Sequence, residues 1–453
     1  MEQQNANIIA AIDVGTTKIV ALVGRKDENG TIEVIGYGRT ESKGVRRGAV
    51  LNIEETCRSI KEAVAQAEET SGYKITEAYV GIAGQHIRSA RQNCTIYRNS
   101  ANDPITKADV DSLISQMHEV PTEMGEEVLH ILPQKYKVDG EDDIKNPVGI
   151  SGKKLEGDFH IVFGQTAAAN NLRRCVENNG IKVKSLILEP LASATAVLSN
   201  DDKELGVALV DIGGGTTDVA VFKNGQIFHT AVIPFGGDII TSDIKEGCKI
   251  LERQAESLKV QCGQAIVTPN IKNKVVAIPG SGGLKKKEIS LDYLAMIIQA
   301  RMNEIIATVK QILESAGVKD YLGAGVVLTG GGAMLRYIAN LFAYGTALEP
   351  RIGVPNLHIK SKIESVTTMP SNSTSIGLLM MGFNNNFNDG INIDKRIESE
   401  EMKQEASEKE SVNNEESFED KKVKPKKGKA IEKLSSAWNT AFDWLTAVDD
   451  NQL

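Results

Sequence analysis

Aromatic residues make up only 5% of this 453-residue chain, and two of them are tryptophan. Sulfur and imidazole are scarcer still. The five cysteines (Cys57, Cys94, Cys175, Cys248, Cys262) form no C-x-x-C pair, and the six histidines are scattered. An odd count without paired spacing excludes a disulfide scaffold and reads as reduced thiols in the cytosol. His118-Glu119 lacks the second histidine of a zinc helix, so no metal cage of that kind can be read. No run approaches 18 apolar residues, which excludes a membrane-spanning helix of ordinary length. Met1 to Asn7 is polar, without the basic and apolar regions of a signal peptide, so a cytosolic protein is expected. The phosphate-binding pattern G-x-x-x-x-G-K-[ST] is absent, so a nucleotide would have to be held another way. A net charge of −8 argues against nucleic acid as a partner.

What is present is an ordinary soluble composition, 41% apolar and 25% charged, on a chain too long for a single core. Ile8 to Val14 is a short apolar run, broken by Gly15-Thr16-Thr17 and resumed from Ile19 to Val23. The same phrase recurs from Val207 to Phe222, with Asp211, Gly213, Gly214, Gly215, Thr216, Thr217 and Asp218 at its turn. Each copy reads buried strand, aspartate, glycine, threonine pair, second strand. The copies lie too far apart for a solenoid period, so two large halves of related topology are expected, facing each other.

Glycine at such a turn lets consecutive backbone N–H groups point inward without a Cβ in the way, and threonine hydroxyls add donors. Lys18 adds a positive charge. One turn can hold a phosphate, and two facing turns can grip a polyphosphate from both sides. Asp13 and Asp211 occupy the same place in the two copies and cannot usefully touch phosphate oxygens. They suit Mg²⁺ held through bound waters, since that ion keeps much of its hydration shell. The plain alternative for either copy is a hairpin with a glycine turn. A third element, Val326 to Leu335, runs an apolar strand into Gly330, Gly331 and Gly332 and then a helix, where backbone could approach a flat ligand.

Elsewhere strands alternate with helices, an α/β pattern. Helices are expected over Glu54–Glu69, Asn171–Asn178, Pro190–Leu198 and Ser290–Ser315. The last carries apolar residues at Leu291, Leu294, Ile298, Met302, Ile305 and Val309. The stretch 81–164 does not continue the duplication and reads as a small inserted α+β domain. Asn384 to Asp420 is rich in Asn, Glu, Ser and Lys, a composition that cannot bury enough surface to offset its ordering entropy. A linker is expected there.

These residues resemble the superfamily of actin, the Hsp70 chaperones and sugar kinases. Asp13–Lys18 resembles its first phosphate motif, Asp211–Asp218 its second, and Gly330–Gly332 its adenosine motif. Glu189-Pro-Leu-Ala-Ser resembles the helix joining the halves, and the resemblance makes Glu189 the candidate for orienting an attacking water. A helix-start carboxylate is the alternative. Glu256-x-x-Lys259 resembles the pair that contacts adenine, with a surface ion pair as the alternative. Within the superfamily, three stretches are similar to the FtsA family of bacterial cell-division actins: Val80–Ile87, His130–Asp139 and Asn146–Glu156. The resemblance implies duplicated actin-like (ribonuclease H-like) halves: 1–80 with 165–204, closed by a helix over 366–383, and 205–383. The insert 81–164 would replace one actin subdomain, followed by a linker over 384–424 and a membrane-targeting helix over 425–453.

Lys421 to Lys429 has lysine at six of nine positions, Lys426, Lys427 and Lys429 among them. On a helix at 100° per residue, Ile431, Leu434, Trp438, Phe442 and Leu445 then fall on one face, flanked by Trp444 and Val448. Both tryptophans sit here, a residue type favoured at membrane interfaces. A basic cluster plus an apolar stripe is the two-signal design of a reversible surface anchor, to which each lysine near an anionic leaflet contributes on the order of 1 kcal/mol. Docking of this helix on protein is the alternative.

The resemblance implies a peripheral protein on the cytoplasmic side of the cell membrane at the division septum. It would bind ATP and Mg²⁺, polymerise with itself, tether FtsZ and recruit other divisome proteins, with slow ATP turnover at most. Three rivals share the fold. A sugar kinase needs a carboxylate base placed at a sugar hydroxyl, and none stands out. A chaperone ATPase needs a large substrate domain after the second half. An adaptor of pilus assembly could share the insert.

Overall fold

The computed structural model describes residues 8–27, 30–280, 286–357 and 359–384. The expected linker beyond Asn384 and the expected amphipathic helix, with Lys426 to Leu445, lie outside the described residues. Among the described residues no helix is long and apolar enough to cross a membrane.

The duplication seen in the sequence is a duplication of topology. In the first half, Ile8–Val14, Lys18–Lys26 and Ile32–Glu41 form an antiparallel meander. Glu77–Ile82 and then Lys182–Leu188 add on parallel beside the first strand. In the second half, Val207–Ile212, Thr217–Lys223 and Gln226–Ile233 form the same meander. Val326–Thr329 and Pro350–Ile352 add on in the same two parallel positions. Within these two sheets one described strand has no counterpart: Ile359–Ser361 joins the far edge of the first sheet, parallel to Ile32–Glu41. The central strands are covered on both faces, which is why they read as continuous apolar runs rather than as alternation.

The insert is a four-stranded antiparallel sheet, ordered Ile87–Tyr97, Lys154–Gln165, Glu126–Val138, Glu141–Ile144. Helix Lys107–Met117 packs Leu113 and Met117 into its own hydrophobic cluster with Phe159, Ile161 and Phe163. Thr106 and Asp109 close the start of that helix in a reciprocal capping box.

Helix Leu291–Ser315 forms with Ser290 as its cap, and it buries Leu294, Ile298, Met302, Ile305 and Val309 as its periodicity predicts. Helix Ile53–Ser71 begins after the Asn52 cap and stops at Gly72, whose φ of 72° only glycine adopts without strain. Three boundaries differ from the sequence reading. The helix expected from Asn171 starts at Thr166, because Ala167-Ala168-Ala169 propagates the helix back to the end of the insert. The helix expected over 366–383 is two helices, Glu364–Thr368 and Ser373–Phe383. Pro370 breaks it by forcing Met369 into extended backbone (φ −93°, ψ 122°), and a 3₁₀ turn over Pro370–Asn372 bridges the break. The helix expected directly after the three glycines starts only at Ile338. A 3₁₀ turn over Gly331–Met334 and a left-handed Tyr337 (φ 64°) precede it.

Candidate nucleotide-binding site

The two glycine-threonine turns come together from the two sheets. In each, the first glycine N–H donates across the turn to the carbonyl of the residue three on: Gly15 to Lys18 at 3.1 Å, and Gly213 to Thr216 at 2.9 Å. They then meet face to face. A Cβ on Gly214 would overlap the Thr17 side chain, and one on Gly215 would overlap Thr16. Glycine is required at 214 and 215 because the opposite turn occupies that space. Behind the second turn, helix Gly237–Cys248 opens with the N–H groups of Gly237 and Asp238 donating to the carbonyls of Gly213 and Gly214, at 2.9 and 2.8 Å. Behind the first, Gly48 N–H donates to Thr16 Oγ1 at 3.1 Å and Ser42 N–H to the Thr17 carbonyl at 3.1 Å.

Beneath the turns lies a cluster of carboxyl groups. Asp13, Asp211 and Asp218 are buried, and Glu189, the first residue of helix Glu189–Val197, is partly covered beside Gly81. Burial pushes the Asp13 carboxyl up to about 6, Lys18 pulls against that, and Asp211 adds to it. Burial likewise pushes Asp218 up to about 8, reinforced by Asp211. Glu189 is raised well above its ordinary range, first by burial and then by Asp13, Asp218 and Asp211. Burial raises Asp211 too, and the hydroxyls of Ser193 (2.6 Å) and Thr374 (3.3 Å), both donating to its Oδ2, pull against that together with Lys18. Lys18 is the cation that acts on Asp13, Glu189 and Asp211 alike.

The donor set suits a hard divalent cation. Asp218 Oδ1 is buried without a hydrogen-bond partner, while Oδ2 accepts from Thr216 Oγ1 at 3.2 Å. Among the described residues no three carboxylate, imidazole or thiol side chains converge closely enough to ligate an ion directly. A Mg²⁺ ion here would keep waters between itself and the aspartates.

The remaining site residues divide. Lys18 turns its ammonium to the Ser371 carbonyl and to Asn372 Oδ1 (3.4 Å), on the segment between the two C-terminal helices. Glu256 and Lys259 pair at 2.7 Å, and they are more than a surface ion pair. Lys259 also donates to Thr241 Oγ1 (2.7 Å) and to the Gly237 carbonyl (2.9 Å), and Thr241 bonds Glu256. The pair thus ties helix Glu252–Cys262 to the start of the helix behind the second turn. Of the three glycines, two are fixed by the chain's own packing. Gly330 has φ 83° and its missing Cβ would overlap Asp211 Oδ1, while a Cβ on Gly332 would overlap Ile212. Gly331 alone faces open space.

Sequence reasoning passed over Ser193, Thr241, Asp218 as a site carboxylate, and the run Asn372-Ser373-Thr374. A readable signal existed for the last. Four consecutive hydrogen-bonding side chains, 372 to 375, lead straight into the apolar stretch Ile376–Phe383, and all four are buried.

Comparison with known proteins agrees with this architecture. A family model described as "Cell division protein FtsA" matches residues 208–377, and one described as "SHS2 domain inserted in FTSA" matches residues 84–163. The chain is 37% identical over 379 residues to "Cell division protein FtsA" of Pseudomonas aeruginosa, covering 84% of this chain and 90% of that protein. Among solved structures it is similar to the "PilM-PilN type IV pilus biogenesis complex" (TM-score 0.62, 12% identity, 83% of this chain and 98% of that one). It is also similar to MreB 5 of Spiroplasma citri bound to AMPPNP (TM-score 0.52, 15% identity, 85% and 99%). At those identities the two structures speak for an actin-like fold alone.

Proposed function

The chain belongs to the FtsA family of cell division proteins, with an actin-like fold and an inserted SHS2 domain, and on that premise we propose that it is an ATP-binding adaptor. It polymerises on the inner face of the cell membrane, tethers the FtsZ ring there and recruits further divisome proteins to the septum. In this reading 1–80 with 165–204 and 205–383 are the two actin-like halves and 81–164 is the insert. The segment 384–424 is a linker, and 425–453 is the membrane anchor.

The observation that carries the nucleotide part is the meeting of two glycine-threonine turns above four interacting carboxylates. Backbone N–H groups of Thr16 and Thr17 and of Gly214 to Thr216, with Lys18, are the donors for a triphosphate, while those of Gly15 and Gly213 close their own turns. Asp13 and Asp211 hold Mg²⁺ through water, and the ion supplies the charge that offsets the phosphates and ionises the carboxyls beneath. Because the turns touch, the halves separate to admit the ligand, and the nucleotide then stands between them. The adenosine lies over Gly331, with Glu256 and Lys259 at its margin. Glu189 faces three other carboxylates and holds its proton well above the usual range.

The sequence of the tail supports the membrane part. Lys426, Lys427 and Lys429 precede the stripe Ile431, Leu434, Trp438, Phe442 and Leu445, flanked by Trp444. The test is sedimentation and electron microscopy on anionic vesicles with Mg·ATP. The full chain should bind the vesicles, form filaments there and bring FtsZ down with it, while a chain ending before Lys421 should remain in solution. Filaments that never form, or a truncated chain that binds lipid as well as the full one, would overturn the proposal.

A further inference from the structure

Three consecutive buried side chains, Asn372, Ser373 and Thr374, each hold a different part of the cleft. They stand where the 3₁₀ turn Pro370–Asn372 passes into helix Ser373–Phe383, with exposures of 1%, 1% and 9%. Asn372 reaches the first turn. Its Oδ1 accepts from Lys18 at 3.4 Å, while its Nδ2 donates to the carbonyls of Val366 (3.2 Å) and Ser365 (3.4 Å). Those two carbonyls decide which end of the amide faces the lysine. Ser373 reaches the strand that leads into the three glycines, its Oγ lying 2.6 Å from Thr329 Oγ1. Thr374 reaches the second turn's aspartate. Its Oγ1 is 3.3 Å from Asp211 Oδ2 and 3.0 Å from Ser193 Oγ, which itself donates to the same carboxylate oxygen. The backbone repeats the pattern: the Ser371 carbonyl accepts from Lys18, and the Pro370 carbonyl from Gly330 N–H at 3.2 Å.

Helix capping does not account for this set. Ser375 shows what capping looks like here, its Oγ donating to the Asn372 carbonyl three residues back. Ser373 Oγ makes a local bond of the same kind to the Pro370 carbonyl at 2.8 Å, but Asn372, Ser373 and Thr374 also reach Lys18, Thr329 and Asp211, residues remote in sequence and one in each of the three motifs. Buried polar side chains are costly unless satisfied, and small apolar residues would pack the start of this helix equally well. The satisfied polar set therefore points to orientation rather than to packing. Two hydroxyls on Oδ2 of Asp211 fix that carboxylate's rotation and leave Oδ1 directed to the Gly330 side.

We propose that Asn372-Ser373-Thr374 is the positioning element of the nucleotide site. It sets Lys18, the Thr329–Gly330 turn and Asp211 in one register, and Thr374 and Ser193 are outer-shell partners of the metal-facing aspartate. The inference rests on the reading of the cleft as a Mg·nucleotide site. Outer-shell hydrogen bonds orient a carboxylate without touching the ion, and their loss acts selectively on the metal-dependent part of binding.

Calorimetry on the full chain tests it, with ATP titrated in Mg²⁺ and in EDTA, and with the unfolding midpoint of each ligand-free variant recorded. Thr374→Val, which keeps the shape and removes the hydroxyl, should raise the Kd for Mg·ATP about tenfold and leave the Kd in EDTA unchanged. Thr374→Ser should restore the wild-type value to within about twofold, since the hydroxyl returns. Ser193→Ala should show the same Mg²⁺-selective loss, and it serves if the valine variant does not fold. Equal loss in Mg²⁺ and EDTA, or no loss in a well-folded variant, would overturn the inference while leaving the site itself standing. A wild-type chain that binds no Mg·ATP would instead overturn the reading of the cleft, and this inference with it.

Discussion

At the residue scale, burial keeps protons on carboxyls of the cleft. Burial lifts Asp13 from 3.8 to about 6 and Asp218 from 3.8 to about 8. The folded chain therefore binds protons that the unfolded chain releases. The stabilisation these groups provide is complete below about pH 4 and is lost as pH rises through 6 and then 8. Without ligand, thermal stability should fall from pH 5 to pH 8. Asp218→Asn, which cannot ionise, should flatten that slope and unfold at a higher temperature than the wild type at pH 8. Equal slopes for the two proteins in EDTA would show that Asp218 does not carry the effect. The same protons must leave when a divalent cation arrives. Mg·ATP binding should therefore tighten from pH 6 to pH 8 and release protons, read as a dependence of the calorimetric heat on the buffer's ionisation enthalpy.

At the scale of elements, the three glycines after Val326–Thr329 separate packing from ligand contact. Gly331→Ala meets nothing within 4 Å and should leave the ligand-free unfolding temperature unchanged while weakening ATP binding. Gly332→Ala drives a methyl into Ile212 and should lower stability by about 1–3 kcal/mol, the usual range for overpacking, measurable in urea titrations. If Gly331→Ala bound ATP normally, the adenosine would lie elsewhere. Strands of this kind are legible in a sequence because burial on both faces leaves uninterrupted apolar runs such as Val207–Ile212, ended by glycine and threonine. Helix Leu291–Ser315 is legible through its period and its Ser290 cap. The Thr374 contact with Asp211 was not legible, because its partners stand 163 positions apart and nothing local to either distinguishes it from a polar helix start. Lys18 reads as a phosphate ligand from its own turn, and only the fold brings Ser371 and Asn372 to it.

At the scale of the whole molecule, the insert packs Leu129, Leu132 and Val162 into the core of the first half and is fastened to the second half as well. Gln226–Ile233 is an edge strand of the second sheet, and side chains of the insert cover that edge. Gln134 donates to the carbonyls of Ile227 (3.0 Å) and Phe228 (3.2 Å), Ser89 to that of Thr230 (3.1 Å), and Arg91 lies over the Phe228 ring at 3.8 Å. His160 Nε2 meets Thr230 Oγ1 at 2.9 Å, and burial pushes that imidazole down to about 3, so it is neutral at physiological pH. Separation of the halves has to shear this seam. Gln134→Ala combined with Arg91→Ala removes contacts worth about 1 kcal/mol each and should speed release of a fluorescent ATP analogue several-fold. It should also increase amide exchange along Gln226–Ile233. Unchanged release with increased exchange would mean that the seam does not govern opening.

If one triphosphate is gripped from both halves at once, titration of Mg·ATP into the full chain and into Gly214→Val will show it. A valine side chain there fills the space between the two turns and meets Thr17. Binding should be saturable at one site in the wild type and lost in a Gly214→Val chain that still unfolds cooperatively. Absence of binding in the wild type, or a valine variant that binds as tightly as the wild type, would contradict it.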